Sequence, residues 1–331
     1  MSEWLLRISN EYRNLSEIEI RTLLGSKNLI KLNEVLFLFA GNKNQLNEIF
    51  KKSVSVKWIL CEPITIPIDE IFNNVKINNL DFEVQSFAVE TETIFEKENE
   101  ISTSQLKMRY GELIKNKYKH MKVDLKNPQI KYMIILVGRK SYLGWGYYEM
   151  NNRMKQLTMA PKNLPFGGGG AMKPYFVKLL VNLLENDNDI ILDPFSGHGG
   201  ILREIENSGY QCVGFEISYK IIRESLINNK YNNKNNISLI VCDALKAPLR
   251  KNAIKQVVTD PPYFIQTSTK ANVKEKIVDK WLVDQKYKKV IFAFPKRTKV
   301  DIPKNYKIVE EVDEYIHRSL TRVIRILSEQ I

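Results

Sequence analysis

The sequence is poor in the residues that build covalent and metal frameworks. Its three cysteines, Cys61, Cys212 and Cys242, show no CxxC spacing, and its three histidines are scattered. A disulfide frame and a cysteine–histidine zinc site therefore find no support, and the thiols read as reduced, mostly buried groups. No apolar run is long enough to span a bilayer. The start, Met1-Ser2-Glu3-Trp4, lacks a basic stretch followed by an apolar one, so no secretion signal is expected. There is no GxGxxG turn and no Gly-rich loop followed by Lys-Ser/Thr, which argues against dinucleotide and nucleoside-triphosphate sites. Internal repeats are absent too. The expectation is a cytoplasmic globular protein that needs no metal.

What is present in excess is positive charge. The 331 residues carry a formal net charge of +12, and 44% are hydrophobic, enough for ordinary packed cores. This length suggests two domains, with room for a small third piece. The charge is concentrated. Residues 107–140 hold ten Lys/Arg against two acids, 246–304 hold fifteen against five, and 81–100 hold one against seven. A Lys-rich and Asn-rich composition raises charge everywhere, but clustering favours a face for phosphate backbones.

The last 160 residues alternate strands and helices. Pro174 opens a helix over 175–184, since proline is tolerated in a first turn. Residues 189–193 form a short strand that stops at a Gly-rich loop. A helix over 199–208 ends at Gly209. Strand 212–216 is followed by a helix over 219–231 that Ser218 can cap, then by strands 237–242 and 257–260. A helix near 275–283 and a strand over 290–294 come next. This rhythm implies a parallel, doubly wound α/β sheet. Residues 306–315 and 321–327 read as two strands joined by a turn, an antiparallel pair on the sheet edge. The first 150 residues are mixed. Strands are expected at 4–8, 34–39, 87–89 and 132–137. Helices are expected at 16–24, with Ser16 as cap and Glu19 at the capping-box position, at 45–52 and at 104–119. An α+β region is the result, with a boundary in the polar stretch 150–165. The Asn/Lys-rich stretch 228–236 reads as a helix end and a surface loop.

In a doubly wound sheet, ligands bind beyond the carboxyl ends of the strands. Four consecutive strands here end in an acid: Asp193, Glu216, Asp243 and Asp260. Each alone reads as a solvated strand end or a helix cap; together they form a constellation. The loop Asp193-Pro194-Phe195-Ser196-Gly197-His198-Gly199-Gly200 is small enough to approach a ligand closely. Glu216 can accept hydrogen bonds from both ribose hydroxyls of a nucleoside. Asp243 can accept one from an adenine amino group. These describe an adenosine site without a pyrophosphate, which S-adenosylmethionine fits better than NAD.

The fourth strand ends in Asp260-Pro261-Pro262-Tyr263. Two prolines fix two φ angles and bias Asp260 away from helix. The lone pair of a base amino group is delocalised into the ring, so that nitrogen is a weak nucleophile. Hydrogen bonds from its N–H groups to the Asp260 carboxylate and the Pro261 carbonyl hold it in line and stabilise positive charge developing on it. Tyr263 can stack on the base. Neither a metal nor a covalent enzyme intermediate is needed.

At these residues the sequence resembles a family. It is similar to the class I methyltransferases acting on amino groups, and within them to the archaeal tRNA guanosine-10 N2-methyltransferases, the Trm11/Trm-G10 group. Four stretches carry the likeness: Pro165-Phe166 with Met172-Lys173-Pro174, the loop 193–200, Asp260-Pro261-Pro262-Tyr263, and His317-Arg318-Ser319-Leu320-Thr321-Arg322, the most family-specific. Ser196 stands where Cys is usual, and His198 where a small residue is common. The run Gly167 to Gly170 reads as a loop. Val123-Asp124-Leu125-Lys126-Asn127-Pro128, with the strand after it, resembles a THUMP module, a tRNA-binding domain.

The resemblance implies a class I S-adenosylmethionine-dependent methyltransferase fold, Rossmann-like and doubly wound with an antiparallel edge hairpin, plus an N-terminal α+β THUMP-containing region. It implies a small ferredoxin-like subdomain over 1–50, a THUMP-like RNA-binding domain over 51–150, a linker over 151–165 and the methyltransferase domain over 166–331. Asp193, Pro194, Phe195, Ser196, Gly197, His198, Gly199, Glu216, Ile217, Asp243 and Ala244 then hold the cofactor, and Asp260, Pro261, Pro262 and Tyr263 the target amine. Lys115, Lys117, Lys119, Lys122 and Arg318 face RNA, although a solvated helix face explains any one lysine equally well. The implied partners are tRNA and a Trm112-like zinc-binding activator protein, with no membrane. Other readings stay open: an amino-group methyltransferase for ribosomal RNA or DNA, and a non-catalytic tRNA-binding protein. A thiolation enzyme, which also carries a THUMP domain, lacks support because its ATP-binding loop is missing.

Overall fold

The computed structural model describes residues 2–73, 75–80, 83–94, 101–147, 164–167, 172–185, 189–234, 236–247, 249–250, 253–262, 277–283 and 286–330. The chain divides into two compact units, Met1–Met154 and Lys155–Ile331.

Alternation along strands builds the first unit. Its sheet runs β2-β3-β1-β4-β8-β7-β5-β6. The strands are β1 (Ser2–Ile8), β2 (Leu29–Lys31), β3 (Leu36–Gly41), β4 (Val56–Pro67), β5 (Ser86–Ile94), β6 (Lys122–Val123), β7 (Ile130–Val137) and β8 (Lys140–Tyr147). Neighbours are antiparallel except at β5, which is parallel to both β6 and β7. Successive side chains of β7 enter different cores, which is why its sequence is almost continuously apolar. Met133 and Ile135 join Trp4, Leu5, Phe37 and Leu60, whereas Tyr132, Ile134 and Leu136 join Phe87, Tyr110 and Trp145. Helices α1 (Arg13–Leu24) and α2 (Lys43–Lys52) supply the first core. Helix α3 (Thr103–Lys117) supplies the second, as the crossover between the parallel strands β5 and β7. Residue 50 lies in α2, and β4 just after it pairs with β1 on one side and β8 on the other.

The expected cap at Ser16 is not there. Helix α1 begins at Arg13, after Tyr12 in the left-handed region, and Ser16 is buried inside it. Glu19 faces the interior instead. Its carboxylate accepts from Ser53 Oγ at 2.7 Å, Val54 N at 3.0 Å, Ser55 N at 3.1 Å and Ser55 Oγ, tying α1 to the turn before β4. A reciprocal capping box does occur, at α2, where Asn42 and Gln45 bond each other's backbone N–H. Strand β4 escapes a sequence reading because Pro63 and Pro67 lie within it. A bulge between Cys61 and Ile64, with Glu62 at φ 44°, accommodates the first of these prolines.

The second unit follows the expected alternation closely. Its sheet runs β11-β10-β9-β12-β13-β15-β14. Strands β9 (Ile191–Asp193), β10 (Cys212–Glu216), β11 (Ile237–Val241), β12 (Gln256–Thr259) and β13 (Lys289–Pro295) are parallel. The closing hairpin β14 (Tyr306–His317) and β15 (Leu320–Glu329) is antiparallel, with β15 against β13. The helices are α4 (Pro174–Val181), α5 (Gly200–Asn207), α6 (Tyr219–Tyr231) and α7 (Ile277–Val283). Ser218 caps α6 through Ile221 N, as its position predicts. Helix α4 is buried from Tyr175 to Val181, and Lys178 in its middle reaches Ser208 Oγ at 2.7 Å and Glu204 at 3.5 Å on α5 and just beyond it. The 151–163 part of the expected linker, and Gly168 to Gly170, lie outside the described residues.

Candidate active site

The sheet order decides how the strand-end acids stand. Because β11, β10, β9 and β12 are adjacent and parallel, Asp243, Glu216, Asp193 and Asp260 come to one edge in that sequence. At the spacing of neighbouring strands the row extends about 14 Å.

Asp193 is the most enclosed member, 1% exposed. Thr259 Oγ1 donates to its Oδ1 at 2.7 Å, a bond across β9 and β12, and Phe195 N donates at 3.2 Å. Its Oδ2 is buried and has no hydrogen-bond partner among the described residues. Burial pushes its carboxyl up to about 7; the nearby Asp260 and Glu216 add to this, and the two hydrogen bonds oppose it.

The loop after β9 is braced from below. Ser196 donates through both N and Oγ to Phe215 O on β10, at 2.9 and 3.1 Å. This close approach needs Gly214, where a Cβ would lie 2.3 Å from Leu202 Cδ1 and 2.8 Å from Ser196 Cβ. Gly199, at φ 76°, starts α5, and a Cβ there would meet Ser225 Oγ at 2.7 Å. Pro194 is buried, and the half-buried Phe195 packs edge-on against Trp281 at 5.9 Å. His198 is turned to α6, with Nε2 3.0 Å from Glu224 Oε2. Arg203 Nη1 holds its carbonyl at 2.6 Å. The histidine thus braces the Gly-rich loop against α6. Nearby, Asn228 and Phe166 exchange two hydrogen bonds, at 2.9 and 3.1 Å, which pin the segment before α4.

Glu216 ends β10 half-buried and accepts from Ser218 N at 2.9 Å, while Ile217 after it is 71% exposed. Asp243 caps a 3-10 turn, Ala244–Lys246, through Leu245 N at 3.0 Å; Ala244 is half-buried. Asp260 follows β12. Pro261 is buried and Pro262 exposed, and Tyr263 lies outside the described residues. Sequence spacing gives no hint of the contact made by Asp260 Oδ2, which lies 3.4 Å from Arg322 Nη2. Nothing in the sequence pattern marks Thr259 either, although it is the hydroxyl that holds Asp193.

The basic candidates fall in two places. Lys115, Lys117, Lys119 and Lys122 are exposed at and after the end of α3. Lys117 has structural work there: its ammonium donates to Ile77 O at 2.8 Å and to Asn79 Oδ1 at 2.9 Å. Arg318 is exposed in the turn of the β14–β15 hairpin.

Comparison with known proteins places the chain among methyltransferases. A family model described as DNA methylase matches residues 1–229. Two relatives are named tRNA (guanine(10)-N2)-dimethyltransferase. The one from Methanocaldococcus jannaschii is 28% identical over 78% of this chain and 77% of its own length. The one from Methanothermobacter thermautotrophicus is 25% identical over 98% and 99%. A third, "Probable tRNA (guanine(10)-N2)-dimethyltransferase" of Methanothermococcus thermolithotrophicus, is 35% identical over 44% of this chain and 93% of its own. Among solved structures, TrmN from Thermus thermophilus shares the fold, with a TM-score of 0.58 at 14% identity over 99% of this chain and 100% of that one. By the extent of the family-model match and the identity to the third relative, the chain belongs to this methylase family and, within it, to the tRNA (guanine(10)-N2)-dimethyltransferase group.

Proposed function

We propose that the chain transfers methyl groups from S-adenosylmethionine to the exocyclic N2 amino group of a guanosine in tRNA, at position 10. The row of four strand-end acids carries this reading, together with the names of its relatives. The residues suit the cofactor on one point above all: a buried carboxylate oxygen, Asp193 Oδ2, without a partner among the described residues. Asp243 then accepts from the adenine amino group, Glu216 from the ribose hydroxyls, and Asp193 from the cationic amino group of the amino-acid end. The backbone of 195–199, with Ile217 and Ala244, completes the cradle. When bound, the cofactor supplies an electrophilic methyl group.

The rest of the chemistry falls to this chain. Asp260 and the Pro261 carbonyl accept the N–H groups of the target amine, two in the first transfer and one in the second, and aim its lone pair. The Asp260 carboxylate also stabilises the positive charge that grows on that nitrogen, until one proton leaves it for solvent. Tyr263, assigned from the sequence, stacks on the base. Lys115, Lys119 and Lys122 belong to a THUMP-like RNA-binding surface, and Arg318 meets RNA from the hairpin turn. Strand β11, at the sheet edge, exposes Ile240 and Val241, and α6 exposes Leu226, Ile227 and Tyr231. A Trm112-like activator would cover this apolar surface. Among the described residues, no helix is long and apolar enough to cross a membrane.

Incubation of the chain with unmodified tRNA transcripts and cofactor, followed by nucleoside mass spectrometry, tests the reading. N2-methylguanosine and N2,N2-dimethylguanosine at position 10 are expected. Neither product, or modification elsewhere, rejects it. The family model's description favours a second substrate, a DNA base amino group. Duplex DNA run in parallel decides between them.

A further inference from the structure

The two prolines after Asp260 fix backbone angles, yet they leave the rotamer of the Asp260 side chain open. Something else must hold the carboxylate. Strand β15 is antiparallel to β13, so its first residues lie where β13 ends, with Pro295 opposite Arg322. Strand β13 in turn lies beside β12, which ends just before Asp260. A residue 62 positions further along the chain is thereby returned to the catalytic edge. Arg322 is 6% exposed, and its Nη2 lies 3.4 Å from Asp260 Oδ2. Its register partner on β14, Glu314, is also 6% exposed.

A buried guanidinium is costly to desolvate, and here it is directed at a loop carboxylate on the open edge of the sheet. That edge is crowded with negative charge, since Asp193 feels both Asp260 and Glu216. The planar guanidinium fixes direction as well as charge, which a lysine does less well. We infer that Arg322 is a positioning residue for methyl transfer: it holds the Asp260 carboxylate in the orientation that accepts an N–H of the target amine. The inference rests on the role proposed above for Asp260.

The test uses the full chain, unmodified tRNA transcript and radiolabelled S-adenosylmethionine. Methyl transfer by the wild-type chain checks the proposed function first, so its failure is read separately. In Arg322→Met, misorientation of Asp260 should lower kcat about 100-fold. Donor affinity by titration calorimetry and KM for tRNA should stay within about threefold, because Arg322 touches neither ligand in this scheme. Arg322→Lys should recover part of kcat. The double variant Asp260→Ala/Arg322→Met should be no slower than Asp260→Ala alone. Unchanged kcat in Arg322→Met overturns the inference. So does a loss of donor affinity as large as the loss of rate, or a double variant slower by the product of the two single effects. If Arg322→Met does not fold, Arg322→Lys carries the same decision: reduced kcat with intact donor affinity supports positioning, and wild-type kcat overturns it.

Discussion

Replacing Asp193 by Asn should remove a proton that donor binding otherwise has to expel. Burial holds this carboxyl at about 7, so a large share of ligand-free molecules carry it neutral near neutrality. A cationic amino group selects the ionised form. Below pH 7, most binding events must therefore release a proton. At pH 6 about 0.9 of the carboxyls are protonated, and this group alone should weaken affinity about tenfold relative to pH 8, or about 1.4 kcal/mol. Titration calorimetry at pH 6, in two buffers of different ionisation enthalpy, should show about 0.9 proton released per S-adenosylmethionine bound. Asp193→Asn should bind more weakly at pH 8 and lack this release. The donor's own amine is almost fully protonated at pH 6, so it adds little to the release measured there. Stability should follow the same group. A raised acid favours the ligand-free fold fully below pH 4, and the benefit is lost as pH rises through about 7. Relative to Asp193→Asn, the wild type should thus lose up to about 4 kcal/mol between pH 4 and pH 8. Identical pH dependence of donor binding in the two proteins would refute the assignment.

Three further outcomes follow from packing. Gly199→Ala forces an alanine into φ 76° and against Ser225 Oγ, and should cost about 2 kcal/mol in thermal unfolding while weakening donor binding. Glu19→Ala strands the four donors that close on that carboxylate, and should destabilise the N-terminal unit by about 3 kcal/mol in urea. Donor affinity should not change. Lys178→Met leaves Glu204 buried without its ammonium, a loss of about 3–5 kcal/mol by chemical denaturation. Adding Glu204→Leu should restore most of it; no recovery would mean that the pair is not the unit of stability.

Much of the C-terminal unit is legible in the sequence because its signals are local. A strand of five residues, a small-residue turn and a capped helix are each spelled out within a few positions, as at Cys212–Glu216 and Ser218. The four acids could be proposed from that rhythm alone. The N-terminal unit hides its longest shared strand, Val56–Pro67, since two prolines contradict strand propensity where a bulge resolves the conflict. Ser16 and Glu19 have the spacing of a helix cap, but the Glu19 carboxylate is instead taken up by Ser53 and Ser55, more than thirty residues away.

Alternation, glycine placement and strand-end acids by themselves gave this chain a doubly wound sheet, an edge hairpin and a row of strand-end carboxylates, because each is set by neighbours in sequence. Only the tertiary structure decided which residues serve those carboxylates. Thr259 lies 66 positions from Asp193, and Arg322 lies 62 from Asp260. They meet because β12 is inserted beside β9 and β15 returns antiparallel along β13. The strand order of the folded sheet is a property that no local stretch of the chain contains.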